Sequence, residues 1–257
     1  MIPLSDDNPT LRRPVVTMAI IVTTLAVWIL VQGAGLDPYA LVSSVCNYGL
    51  VPGEITGRAP LGEAVPITKT LACVVDADPR NVVTPLTSMF LHSGWAHILG
   101  NLWFLWIFGN NVEDSMGRIR FAVFYVLCGL AAAAVQIAVQ PASPVPMVGA
   151  SGAISGVLGA YLVLYPRVRV NVLVPLGFFW PILPVPAYLM LVWWIALQIV
   201  SGLPQLLAVH SEVATGVAFF AHIGGFFAGV LLVKLFEDRR RVARRNEIRH
   251  RLHPRHP

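Results

Sequence analysis

The most restrictive feature of this sequence is a set of six apolar stretches without one acidic residue, at 14–33, 85–108, 121–139, 149–165, 182–202 and 213–236. About 20 apolar residues cross the roughly 30 Å hydrocarbon core of a bilayer as a helix. Inside lipid every backbone polar group must find a partner, so helices and closed barrels are the spanning structures. Six such runs predict an all-α polytopic membrane protein, a bundle of six transmembrane helices. Composition agrees: only 12% of the 257 residues are charged, against roughly 25% in a soluble domain. A channel, a transporter and a membrane enzyme all remain compatible with that. Arg12 and Arg13 precede the first run, which is too long for the apolar region of a cleavable signal and lacks a small-residue cleavage site. It reads as an anchor that stays.

The chain divides into a polar segment at 1–13, expected to be loose, a six-helix membrane domain at 14–236, and a strongly basic tail at 237–257. The first outer loop, about 34–83, is long, mixed in composition and rich in Pro and Gly. Its apolar clusters predict short helices lying against the bilayer. Basic residues set the orientation. Arg12, Arg13, Arg118, Arg120, Arg167, Arg169 and the arginine-rich tail fall on one side, and Arg58, Lys69 and Arg80 on the other. Both termini therefore face the cytoplasm, and the loops at 34–83 and 204–212 face outward. The tail reads as a topology anchor touching anionic lipid, not as a nucleic-acid arm. Cys46 and Cys73 share the outer loop, where oxidising conditions would let them pair; the sequence leaves that open. Cys128, in the third run, reads as a small core residue.

Polar side chains inside membrane helices are expensive and point to function by default. The second run carries His92, His97 and Asn101, the fourth opens with Gly149-Ala150-Ser151-Gly152, and the sixth contains His222. His97 and Asn101, four apart, share a helix face. On one continuous helix His92 would point elsewhere, as a structural histidine. Taken alone, His97 and Asn101 need do no more than hydrogen-bond between helices. The fourth run has small-residue stripes at Ser151, Ser155 and Gly159 and at Gly152, Gly156 and Ala160. The sixth matches them with Ala218, His222, Gly225 and Gly229. Such stripes let two helices approach closely, which would bring His222 to Ser151. A neutral imidazole there can take the serine proton during attack on a carbonyl. The resulting oxyanion needs donors placed in advance; His97, Asn101 and the Ser151 backbone N–H are the candidates. With no carboxylate in any run, no third group to orient the imidazole is evident.

These motifs together resemble the rhomboid intramembrane serine proteases, of the bacterial six-span type. They are His92-x4-His97-x3-Asn101, Gly109-x3-Glu113-x3-Gly117, Gly149-Ala150-Ser151-Gly152 and Ala221-His222-Ile223-Gly224-Gly225, in that order over roughly 84–236. The resemblance implies Ser151 as nucleophile, His222 as general base, His97 and Asn101 in the oxyanion hole and His92 as a buried structural residue. It implies a multi-pass protein of the cell (inner) membrane that cleaves transmembrane protein substrates near their outer end, without cofactor or metal. Two departures stand out. Many members carry a Trp-Arg pair in the first outer loop, where this chain reads Pro79-Arg80-Asn81. Many also place an aromatic residue four after the serine, stacked on the histidine; here that position is Ser155, so a hydroxyl or tighter helix approach is expected to steady the ring. Two other readings compete: a catalytically silent relative that binds membrane clients, and a metal transporter using His92, His97 and His222. The latter lacks the acidic or thiolate ligands that most divalent metals want. The fifth run, with Tyr188, Trp193 and Trp194, suits a lipid-facing helix whose movement admits substrate, and 204–212 is expected to cap the cavity.

Overall fold

The computed structural model describes residues 2–175, 177–207 and 217–252. The chain opens with a strand, β1 (Ile2–Asp6), followed by α1 (Val15–Leu30), α2 (Pro38–Tyr48) and α3 (Pro52–Thr56). A hairpin of β2 (Ala64–Pro66) and β3 (Ala72–Val74) leads to α4 (Thr84–Thr87). Next come α5 (Trp95–Phe104), a π turn at Leu105–Gly109 and α6 (Asn110–Met116), which run on as one helical rod. Then follow α7 (Arg118–Val139), α8 (Ser151–Leu164), β4 (Arg169–Leu173), β5 (Ile182–Pro186), α9 (Ala187–Leu207), α10 (Phe219–Phe236) and α11 (Arg239–Leu252). Among the described residues, α7, α9 and α10 are long and apolar enough to cross a membrane; α1 and α8 are shorter apolar helices.

The core forms around α8. Most of its residues are buried, from Gly152 through Tyr161 without a break, as expected of a helix that is apolar all round. Glycines let α10 lie directly on it. A Cβ added to Gly229 would sit 2.7 Å from the Gly156 Cα, and one added to Gly225 would sit 2.9 Å from the Gly152 carbonyl carbon. Gly159, from the serine stripe, is as close: a Cβ there would sit 3.1 Å from the Val230 backbone nitrogen of α10, so both small-residue stripes of α8 contribute to the packing surface.

At the end carrying both termini, charge does the bracing. Glu113 accepts hydrogen bonds from the Val16 and Thr17 backbone N–H groups and the Thr17 hydroxyl, at 3.0, 2.8 and 2.8 Å. It thereby satisfies the orphan donors at the start of α1, which is the physical role of the acidic residue in Gly109-x3-Glu113-x3-Gly117. Arg245 is fully buried, ion-paired with Asp114 and donating to the Asn111 carbonyl at 2.7 Å and to the Tyr165 hydroxyl. At the opposite end the 34–83 segment grips the loop that leads into α8. Leu50 and Met147 exchange backbone hydrogen bonds at 2.9 and 2.7 Å, and the Gly53 N–H donates to the Ser143 carbonyl at 2.9 Å. A disulfide joins Cys46 to Cys73 across 27 residues.

Several sequence expectations change. The chain is mostly helical but not all-α: β1, β4 and β5 form an antiparallel sheet in the order β1-β4-β5. The segment expected to be loose is tied down from residue 2 onward: β1 pairs with β4, Ile2 opposite Leu173 and Asp6 opposite Val170, and the Leu11 N–H donates to Asp114 at 2.8 Å. The 182–202 run does not begin as helix: Ile182–Pro186 pair with β4 as β5, Val170 and Val172 of β4 alternate into the core, and α9 starts only at Ala187. The 85–108 run does not form one helix. Pro85 lies in the short α4, the chain is extended at Leu91, and the helix begins only at Trp95. Pro204 lies inside α9, and 208–216, where most of the expected cap falls, lies outside the described residues. The basic tail forms α11, anchored by Arg245, whose burial nothing in a run of arginines announces.

Candidate active site

Ser151 is the first residue of α8, and no side chain caps that helix. The approach loop is held by the Gly149 N–H, which donates to the Ser88 carbonyl at 2.9 Å. Gly149 adopts φ +128°, a backbone region that disfavours side chains, and a Cβ there would meet the His97 Nε2 at 2.7 Å. Glycine at this position lets the His97 ring lie against the serine turn. His222 sits in the first turn of α10, half-buried. Its Nε2 lies 2.7 Å from the Ser151 Oγ, across 71 residues of sequence.

His97 and Asn101 both lie on α5. The Ser93 hydroxyl contacts the His97 Nδ1 at 3.0 Å, and the Ser93 backbone N–H points at the same nitrogen at 3.5 Å. A backbone N–H can only donate, so Nδ1 accepts and the neutral ring carries its proton on Nε2, the nitrogen beside Gly149. Asn101 is buried and its Nδ2 has no hydrogen-bond partner among the described residues.

His92 departs from the expected placement. It precedes α5, outside any helix, and its ring packs edge-on to His97 with centroids 5.0 Å apart. The helix on which His92 would point elsewhere is interrupted, since Leu91 is extended and α5 starts only at Trp95. His92 is fully buried. Its backbone is clamped by Gln32, which accepts from the His92 N–H at 2.8 Å and donates to the His92 carbonyl at 2.9 Å. Ser155 also departs: its hydroxyl donates back to the Ser151 carbonyl at 2.6 Å and not to the imidazole. The His222 ring is flanked instead by α9. The Gln198 Oε1 lies 2.8 Å from the His222 Nδ1, and the Trp194 ring lies 5.9 Å from it, tilted by 36°. Tyr188 and Trp193 are exposed as expected of a lipid-facing surface, but Trp194 turns inward onto His222 and Phe226.

Residues 79–238 match the family model for the Rhomboid domain, more than half of the chain. The chain belongs to the rhomboid family. Rhomboids are generally intramembrane serine proteases, and this one is a membrane-embedded member. It is 31% identical over 154 residues to rhomboid-like protein 11, chloroplastic, of Arabidopsis thaliana, covering 58% of this chain and 51% of that protein. It is 44% identical over 77 residues to rhomboid protease GluP of Bacillus subtilis (strain 168), covering 30% of this chain and 15% of that protein. RHOMBOID-like protein 4 of Arabidopsis thaliana is 31% identical over 175 residues, with 65% of this chain and 39% of that protein covered. The chain spans about half the length, or less, of these relatives.

Sequence reading of this rhomboid missed three glutamines. Gln32 holds the His92 backbone; the Gln136 Oε1 accepts from the Ala221 N–H at 3.1 Å, fixing the first turn of α10 next to His222; and Gln198 meets the imidazole. Each is an amide side chain in a run without charged residues, the same kind of signal that picks out the histidines.

Proposed function

We propose that this chain is a six-span serine endopeptidase that hydrolyses peptide bonds within the membrane by a Ser151–His222 dyad. The observation that carries the reading is the 2.7 Å contact between the Ser151 Oγ and the His222 Nε2, made by side chains of two different apolar helices. In the reaction the Ser151 Oγ attacks the scissile carbonyl while the His222 Nε2 takes its proton. Negative charge develops on the carbonyl oxygen. The His97 Nε2–H, the Asn101 Nδ2 and the Ser151 backbone N–H are its donors. The unpaired Nδ2 of Asn101 supports this role, since a buried donor without a partner is costly unless a ligand completes it. His222 then gives its proton to the leaving amine, and water hydrolyses the acyl-enzyme by the reverse sequence of proton transfers. His92 has a structural role, packed behind His97. The chemistry of a serine nucleophile and an imidazole base needs no metal or other cofactor.

The six spans are α1, the rod from α5 to α6, α7, α8, α9 and α10. The 14 residues of α8 make roughly 21 Å of helix, shorter than the bilayer core. Its serine end therefore starts below the surface, and the non-helical loop before it is tolerable there only against protein or water. The distribution of basic residues supports a topology with both termini in the cytoplasm and the site open to the outer face of the cell (inner) membrane. Substrates are transmembrane segments of other proteins, cut near their outer ends. The test is cleavage of a model transmembrane substrate in proteoliposomes. Wild type is expected to cut it and Ser151→Ala and His222→Ala to leave it whole; undiminished cutting by either variant removes the dyad.

A further inference from the structure

A Ser–His dyad has a weakness that a triad lacks. A neutral imidazole has two tautomers, and only the one with its proton on Nδ1 can accept from serine at Nε2. In a triad a carboxylate fixes that choice. Among the described residues no carboxylate hydrogen-bonds this ring, and one group other than Ser151 does: the Gln198 Oε1, 2.8 Å from the His222 Nδ1. Resting on the protease reading above, we propose that Gln198 is the positioning residue of His222, accepting the Nδ1–H and holding the ring in its base-competent tautomer.

Three observations converge on this. The amide oxygen can only accept, so a hydrogen bond to it requires the proton on Nδ1. Trp194 lies four residues earlier on α9, one turn away, and covers the same ring at 5.9 Å between centroids. Together the two side chains close off the imidazole on its α9 side. Ser155, the other nearby hydroxyl, is spent on the Ser151 carbonyl. A neutral amide also suits the setting, because it orients the ring without placing a net charge in lipid.

The placement has a consequence. Serine and histidine stand on α8 and α10, but the orienting group stands on α9. The contact exists only while α9 lies against α10. A displacement of α9 that opens the bundle would remove Gln198 and Trp194 from His222 together, and the base would lose its alignment until α9 returns. Competence of the dyad is thus tied to the position of a third helix.

The experiment joins spectroscopy to kinetics. The first part is ¹⁵N NMR of the full-length, histidine-labelled protein in micelles, with His222 assigned by difference from His222→Ala. Wild type is expected to show an Nδ1–H ring and Gln198→Leu a mixture or a shift toward Nε2–H. A wild-type His222 protonated at Nε2 overturns the proposal, because the amide would then be turned the other way. This readout does not need a cleaved substrate, so it stands or falls apart from the protease reading. The second part is cleavage. Gln198→Leu is expected to lower kcat roughly 10- to 100-fold, the effect of losing one hydrogen bond to a buried group, with KM little changed. Gln198→Glu, whose side chain can also accept the Nδ1–H, is expected to recover most of kcat. A loss confined to KM or thermal stability, or wild-type kcat in Gln198→Leu, overturns it. If wild type itself does not cut while Ser151 and His222 remain in contact, the protease reading fails and the tautomer result still decides the role of Gln198.

Discussion

The two ends of this bundle solve the problem of buried polarity in opposite ways. The end carrying the termini uses formal charge: Glu113 on the start of α1, and Asp114 paired with the buried Arg245. The end carrying Ser151 uses neutral amides: Gln32 on the His92 backbone, Gln136 on the first turn of α10, and Gln198 on the His222 ring. A buried ion pair is costly to desolvate and strongly destabilising to break, which suits a region whose work is to hold helices together. An amide fixes geometry without net charge, which suits a site whose imidazole must be free to accept a proton. The contrast separates what stabilises the fold from what would perform the reaction.

The comparison breaks if changes at the site alter stability more than chemistry, or if changes at the termini do the reverse. The largest expected effect is on chemistry. Ser151→Ala and His222→Ala should each lower the rate of cutting by at least roughly 1,000-fold, with melting temperatures within a few degrees of wild type by differential scanning fluorimetry. Next is the buried pair: Arg245→Ala or Asp114→Asn should destabilise by about 3–5 kcal/mol, read by denaturant titration in micelles, while the folded fraction keeps its rate. Reduction of the Cys46–Cys73 bridge should cost roughly 3–4 kcal/mol by the loop-entropy relation for a closed loop of this length. Hydrogen exchange should show the loosening in the 38–75 segment and, through the Leu50–Met147 and Gly53–Ser143 hydrogen bonds, in the loop before Ser151.

The smallest expected effect comes from Asp6. Burial raises its carboxyl from 3.8 to about 6, although the Tyr161 hydroxyl hydrogen bond and the charge of Arg245 oppose the rise. The folded state therefore holds a proton that the unfolded chain has released over roughly pH 4–6. Stability from this group is present below that window and is lost as pH climbs through it, by up to about 3 kcal/mol. Asp6→Asn should flatten the slope and leave the protein more stable at neutral pH; an unchanged slope would remove Asp6 as its source.

Much of the site was legible because lipid makes polar residues conspicuous. Ser151, His97, Asn101 and His222 stood out from apolar runs, and the small-residue stripes implied that α8 and α10 approach closely, as Gly225 and Gly229 do. What stayed hidden depended on long-range pairing. The strand β1 has no period that announces it, and it forms because β4 presents an edge 160 or more residues away in sequence. His92 was placed on a helix because nothing in Leu91-His92-Ser93-Gly94 marks the break as strongly as the structure makes it. With Ser155 at the position of the family's aromatic residue, a hydroxyl is one of two expected ways to steady the imidazole, yet a helical serine is satisfied by its own backbone. Gln198 was overlooked for a different reason. The third group of a triad is a carboxylate, and an amide can accept the same hydrogen bond.

The most direct test of the account is whether the Ser151 hydroxyl is activated and whether His222 activates it. Purified protein in micelles or proteoliposomes is treated with a fluorophosphonate and the modified residue is mapped by mass spectrometry. The account expects a single adduct on Ser151 in wild type, and none in His222→Ala that remains folded. An adduct on another serine, or equal labelling of Ser151 with His222 removed, would contradict it.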